Sequence, residues 1–192
     1  MIIRLSAFAL AFLLAVGCVP ASADEAGLAA LKLGGHVMIV RHGLTTPGFG
    51  DPPNFRLDDC ATQRNLIEEG REQARTLGRL LREQKIAVER VLSSQWCRAR
   101  ETAKLIDAGE VGLLALSNNL YGRPQQREAQ TRELRAAIAA WNGKGNLLLV
   151  SHGSVIFSIT GKSPSEAEGY VLKPMPGTEQ GFVIVGTIGP GG

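Results

Sequence analysis

The 192-residue chain carries a formal net charge of +3 and is 44% hydrophobic but only 5% aromatic. That apolar content suffices for one domain with a sizeable core. The near balance of charge and the scarcity of aromatic residues give no support to nucleic-acid binding or to a stacking platform for single strands.

Residues 1–23 read as a secretory signal. Arg4 supplies the positive n-region, residues 5–16 the apolar h-region, and Ala21-Ser22-Ala23 the small-residue cleavage site. The mature domain is then expected to span 24–192 in a periplasmic or secreted location. The apolar stretch is short for a membrane span, and none is expected in the mature chain. Ala15-Val16-Gly17-Cys18 loosely resembles a lipoprotein cleavage box but lacks the usual leucine, which makes lipidation at Cys18 the lesser reading. Export leaves Cys60 and Cys97 in an oxidising compartment. A disulfide between them is the expectation, and two separately buried thiols are the alternative. No CxxC occurs, and two cysteines with scattered histidines make a poor zinc site. Neither a metal nor a cofactor is expected.

Next along the chain, residues 26–33 suit a short helix closed by Gly34-Gly35, and 36–41 a first strand. Residues 44–64 are rich in Gly, Pro, Asp and Asn, an irregular stretch of a length that is more often functional than passive. In helix 66–84, Ala74, Leu77, Leu80 and Leu81 share one face, with Asn65 as N-cap and Glu68 and Glu69 placed early to suit the helix dipole. Strand 88–93, helix 98–108, strand 111–116 and helix 126–141 follow, the last stopped by Asn142-Gly143-Lys144-Gly145. Strand 146–151, a short helix 155–160 and late strands 169–173 and 181–187 complete the pattern. Strands alternate with helices and have continuous apolar cores. The expected fold is therefore α/β, a three-layer α/β/α sandwich with a mainly parallel central sheet. Ligands in such sheets bind at the carboxyl ends of the strands, where Arg41-His42, residues 93–98 and Ser151-His152 all fall.

Arg41-His42-Gly43 ends the apolar run Val37-Met38-Ile39-Val40, and Gly43 is expected to allow a tight turn. His152 ends a second apolar run and is also followed by a glycine. A neutral imidazole can act as a nucleophile and a protonated one as a donor, while an arginine fork makes two parallel bonds to an oxyanion. His42 with Arg41, Arg98 and His152 thus suits phosphoryl transfer, whose demands are positioning and electrostatic stabilisation. Plainer roles compete. Either histidine can be a hydrogen-bonded core residue, and Arg98 can pair with Glu101 three residues on. His36 reads as structural, Arg64 as either a site residue or a solvated one, and Trp96, Tyr121 and Trp141 as packing residues. Glu166 and Glu168 fall in a loop with no assigned task. A metal centre of His36, His42 and His152 is disfavoured, because His36 and His42 bracket one strand and stand up to about 20 Å apart.

The ordered set Arg41-His42-Gly43, then residues 66–74, then Ser93-Ser94-Gln95-Trp96-Cys97-Arg98-Ala99-Arg100-Glu101-Thr102-Ala103, then Ser151-His152-Gly153 resembles the histidine phosphatase superfamily, which includes the cofactor-dependent phosphoglycerate mutases. The resemblance covers nearly all of the mature chain. It implies a phosphoglycerate mutase-like fold, with His42 phosphorylated during turnover and Arg41, Arg98 and His152 completing the phosphate pocket. It also implies a carboxylic acid that protonates the leaving oxygen and then activates water. Mutase-like members carry a glutamate between the second arginine motif and the second histidine. Here no glutamate stands close behind Leu116, and Glu128 is the nearest candidate, with Asp58 and Asp59 as alternatives. The other branch often places an acid directly after the second histidine, where this chain has Gly153. Gly43, Asp59 and Arg64 are further pocket candidates, and residues 44–64 and 117–128 are expected to frame its mouth.

The leading expectation is an exported phosphomonoesterase that works through a phosphohistidine on His42 and takes a small phosphoester as its partner. The alternative is a phosphate- or phosphoester-binding protein with weak turnover, motivated by the missing glutamate. A mutase is disfavoured by export, since glycolytic intermediates are cytoplasmic.

Overall fold

The computed structural model describes residues 23–190, so the leader, Cys18 and the cleavage site lie outside the described residues, apart from Ala23. The elements are α1 (Ala23–Leu33), β1 (Val37–Arg41), α2 (Glu68–Glu83), β2 (Val88–Ser93), α3 (Cys97–Ile106), β3 (Val111–Leu113), α4 (Pro124–Ala139), β4 (Asn146–Ser151), α5 (Gly153–Thr160), β5 (Gly169–Pro174) and β6 (Phe182–Ile188). Short 3-10 turns lie at Cys60–Thr62 and Ala115–Ser117. No helix among the described residues is long and apolar enough to cross a membrane.

The six strands form one sheet in the order β3-β2-β4-β1-β5-β6. The first four run parallel, and β5 and β6 add an antiparallel edge beside β1. Period-two alternation divides the core into two layers. Met38 and Val40 face a cluster with Leu31, Ala74, Leu77, Ala99 and Ile106, which belong to α1, α2 and α3. Val37 and Ile39 face a second cluster with Leu134, Ile138, Val155 and Ile159, which belong to α4 and α5. The protein is therefore a three-layer α/β/α sandwich, and β1 and β4 read as unbroken apolar runs because both of their faces are covered.

Two sequence expectations are corrected. Asn65 does not cap α2. Ile67 holds the cap position with no side-chain bond, and the Asn65 amide donates instead to the carbonyls of Cys60 and Gln63. The strand expected over 111–116 ends at Leu113. Beyond it the Ser117 hydroxyl donates to the Leu114 carbonyl and closes a 3-10 turn in place of a longer edge strand.

Candidate active site

Register places the two histidines side by side. β1 and β4 are parallel neighbours with Arg41 opposite Ser151, so the next residues, His42 and His152, leave the sheet together. The His42 amide N–H donates to the Ser151 carbonyl at 3.0 Å. The rings meet edge to face with centroids 5.2 Å apart, and both side chains are buried. β2 ends alongside with Ser93 opposite Val150, which brings Ser94 to the same edge, four residues before Arg98, with α3 starting between them at Cys97. The carboxyl ends of three strands thus deliver the three segments expected from the sequence.

Hydrogen bonds fix the state of His42. Its Nδ1 lies 2.8 Å from the Gly43 carbonyl oxygen, which can only accept, so Nδ1 carries the ring proton. Nε2 therefore holds the lone pair, and it accepts from Arg98 Nε–H at 3.2 Å. Burial first, and then the positive charge of Arg98, pushes this imidazole down to about 3. His42 is therefore a neutral imidazole held in one tautomer, a state in which its Nε2 lone pair can act as a nucleophile. His152 is also pushed well below its ordinary range, by burial and then by its positive neighbours. Its Nε2 shares a 2.8 Å hydrogen bond with Ser94 Oγ, while its buried Nδ1 has no partner. When Ser94 donates in that bond, Nδ1 carries the proton and presents a free N–H.

Arg98 is held from the opposite side. Asp51 grips its guanidinium with two oxygens, at 2.7 and 3.2 Å, and the two side chains are only 3% and 2% exposed. Asp51 also accepts from Trp96 Nε1–H at 2.9 Å and from the Arg64 amide at 3.0 Å. Burial opposes the Asp51 charge, but the hydrogen bonds and charge of Arg98 outweigh it and hold the carboxyl below its usual range. Thr102 ties α3 to the histidine loop, accepting from the Gly43 amide and donating to the Arg98 carbonyl. The Cys60–Cys97 disulfide closes the long loop onto the first residue of α3, one position before Arg98.

These groups surround one cavity of about 350 Å³, lined among others by Arg41, His42, Arg64, Arg98, His152 and Glu166. Arg41 donates to the Pro164 carbonyl at 3.1 Å and to Glu166 Oε1 at 2.6 Å, leaving its Nε buried without a partner. Arg64 donates through Nη1 to the Gly48 carbonyl, and its Nε is likewise buried and unpartnered. Three residues from three segments, Arg41, Arg64 and His152, therefore line one cavity beside a neutral imidazole, and each carries a buried nitrogen without a partner. Buried N–H donors are costly to leave unpaired, and an oxyanion satisfies several at once.

The structure brings together His42, His152, Arg41, Arg98 and Arg64. It does not bring Glu128. That carboxylate stands on the outer face of α4, 95% exposed, 4.0 Å from Arg132 and on a different surface groove. Asp58 is exposed beside Arg56, and Asp59 pairs with Arg56 and caps a 3-10 turn, so neither lines the cavity. Gly43 adopts no left-handed conformation. It is needed for close approach, since a Cβ there would meet the Gly70 carbonyl oxygen of α2 at 2.3 Å. Arg98 does not pair with Glu101, which Arg71 takes at 2.6 Å. Sequence reasoning missed Glu166 as a site residue, and it had Asp51 only as part of the 44–64 stretch expected to frame the mouth. Tyr121 is 56% exposed at the cavity lip rather than packed.

The sequence family described as the histidine phosphatase superfamily, branch 1, matches residues 37–120 of the chain. The match contains His42, Arg64 and Arg98 and stops before His152, which the sheet register supplies. Among solved structures, the fold is similar to the protein histidine phosphatase SixA complexed with tungstate, at 19% identity and TM-score 0.56 over 81% of this chain and 97% of that one. It is also similar to a phosphoserine phosphatase from Entamoeba histolytica in complex with phosphoserine, at 13% identity and TM-score 0.56 over 81% and 98%. A mycobacterial glucosyl-3-phosphoglycerate phosphatase aligns at 20% identity and TM-score 0.53 over 71% and 89%. At these identities the likeness is one of fold. No protein of curated function matches the chain in sequence.

Proposed function

We propose that this chain hydrolyses phosphomonoesters through a phosphohistidine on His42 Nε2. The observation that carries the reading is the convergence of three residues with buried, unpartnered nitrogens, Arg41, Arg64 and His152, on a cavity that also holds a neutral, tautomer-fixed imidazole. Phosphate oxygens take up Arg41 Nε, Arg64 Nε and His152 Nδ1, and the phosphate draws Arg98 Nε–H off the His42 lone pair. His42 Nε2 then bonds to phosphorus as the bond from phosphorus to the alcohol oxygen breaks. The departing oxygen needs a proton unless it is a stable anion. Glu166 is the only carboxylate lining the cavity among the described residues, with Oε1 on Arg41 and Oε2 without a partner. A phosphomonoester monoanion brings one proton into the cavity, and Glu166 Oε2 is the carboxylate oxygen free to receive it. Glu166 passes that proton to the leaving oxygen. It then takes a proton from water as the water oxygen bonds to phosphorus and the N–P bond breaks, releasing inorganic phosphate and restoring His42. The leader motif and the disulfide support action outside the cytoplasm.

Steady-state hydrolysis of p-nitrophenyl phosphate, with mass detection of an acid-labile phosphoryl group on His42, tests the reading. Equal turnover by wild type and His42→Ala ends it. Binding of phosphate with no turnover favours a phosphate-binding protein instead. Glu166→Gln separates proton transfer from binding. The p-nitrophenolate group leaves unprotonated, so its burst release, which reports phosphorylation of His42, should change little, while steady turnover falls because the water step has lost its base. Phosphorylation of His42 by an alkyl phosphate should slow about 10²-fold or more. Equal losses in the phosphorylation step with both esters contradict the assignment of Glu166.

A further inference from the structure

Beside the phosphate cavity lies a second one of about 270 Å³, and the two share Phe49, Gly50, Asn119 and Tyr121 as a common lip. Its lining is unusually aromatic for this chain. The described residues contain eight aromatic side chains, and four of them, Phe49, Phe55, Trp96 and Tyr121, line this one cavity. The other four are Trp141, Phe157, Tyr170 and Phe182. Phe49 is 94% exposed, and Tyr121 reaches the lip from a separate loop with its ring against Gly50. Two large apolar faces thus stand open to water next to the catalytic histidine, where burying them against a ligand is favourable.

The floor is rigid. Trp96 is buried, tilted against Phe55 with centroids 5.6 Å apart, and pinned through Nε1 to Asp51. The Arg123 guanidinium stacks 4.7 Å from the Trp96 ring centroid and 5.7 Å from that of Phe55, and no carboxylate pairs with it among the described residues. A guanidinium over an indole offers a further cationic face to an aromatic ring. Both Asp51 oxygens are used, and Asn119 Oδ1 accepts from Ser154 Oγ and from the Tyr121 amide. These side-chain acceptors are taken, so the hydroxyl protons of a leaving group gain little from them, whereas a flat ring needs none.

We propose that the alcohol half of the substrate carries a flat aromatic or heteroaromatic ring, which stacks in this second cavity while the phosphate sits against His42. The inference rests on the phosphatase reading above and adds its substrate class. Two matched ester pairs test it: adenosine 5′-monophosphate against ribose 5-phosphate, and 2-phenylethyl phosphate against ethyl phosphate. Within each pair the leaving oxygen is a primary alkoxide and the ring is the main difference, so intrinsic reactivity is closely matched. The ring-bearing ester of at least one pair should show kcat/KM about tenfold higher, the fold-change expected from one or two aromatic contacts. Phe49→Ala and Tyr121→Ala should each pull that ratio toward one. Phe157→Ala, an exposed aromatic that lines neither of these cavities, should leave it unchanged. Ratios near one for both pairs in an active wild-type enzyme overturn the substrate class and leave the phosphatase reading standing. Absence of turnover on all four esters and on p-nitrophenyl phosphate, with no label on His42, removes both.

Discussion

Removing the Asp51 carboxylate tests whether a buried acid anchors Arg98 beside His42. In Asp51→Ala the Arg98 guanidinium, at 2% side-chain exposure, loses both of its carboxylate bonds and keeps only its contacts to His42 and the Arg64 carbonyl. Trp96 Nε1–H and the Arg64 amide lose their acceptor as well. Breaking one side of a buried ion pair costs about 3–5 kcal/mol, mostly because the remaining charge is left uncompensated. The two further stranded donors keep the expected cost in the upper part of that range. In a domain of this size, each kcal/mol corresponds to roughly 2–4 °C in Tm, so a fall of about 10 °C or more is expected. Thermal and urea unfolding with the disulfide intact measure it. Asp58→Ala is the control, since that carboxylate is 88% exposed with its nearest cation 3.7 Å away, and it should stay within about 0.5 kcal/mol of wild type. Inorganic phosphate, an anion in the adjoining cavity, should stabilise Asp51→Ala more than wild type, because it gives Arg98 a new counter-charge. A stability loss under about 1 kcal/mol for Asp51→Ala would refute the anchoring argument.

Three other outcomes follow from the same geometry. With its imidazole pushed down to about 3, His42 stays neutral across neutral pH, so its ring resonances should hold constant from about pH 5 to 8. Between the unfolded value of 6.5 and about 3, the unfolded chain binds a proton that the folded one refuses. Stability should therefore fall as pH drops through that window and, for this group, be level above it. A His42 midpoint near 6.5 would contradict the burial argument. Replacing Cys60 and Cys97 by serine opens a loop with a sequence separation of 37 and should cost about 4 kcal/mol in denaturant unfolding, by chain entropy. Gly43→Ala would place a methyl 2.3 Å from the Gly70 carbonyl oxygen. It should lose about 1–3 kcal/mol, and kcat should drop as α2 is pushed away from the histidine loop.

The sheet and the basic half of the site were legible in the sequence, and the reason is geometric. Arg41, His42, Ser94 and His152 sit at or immediately beyond apolar runs, and a parallel sheet converts such positions into one edge without further information. Arg98 is the second residue of the next helix, so its place is nearly as fixed. The carboxylates were another matter. Asp51, Glu166 and the rejected Glu128 lie in segments that no period governs or, for Glu128, on a helix whose outward face sequence spacing alone did not identify. Asp51 reaches Arg98 across 47 residues, and Glu166 reaches Arg41 across 125. Both depend on how irregular loops close.

The same contrast explains why the acid cannot be located by counting along the chain. Arginine and histidine donors must surround the phosphate, so they come from the rigid strand ends that form its cradle. A proton carrier has only to reach the oxygen on the far side of phosphorus, and any loop that hangs over the cavity can supply it. In this chain the segment behind Leu116 carries no such acid, and the loop before β5 brings Glu166 over instead. That loop is held in place by Arg41 itself, through Glu166 and the Pro164 carbonyl. Arg41 thus lines the cavity and, through its terminal nitrogens, holds the loop that carries Glu166, so the position of the proposed acid is coupled to that of the proposed phosphate site.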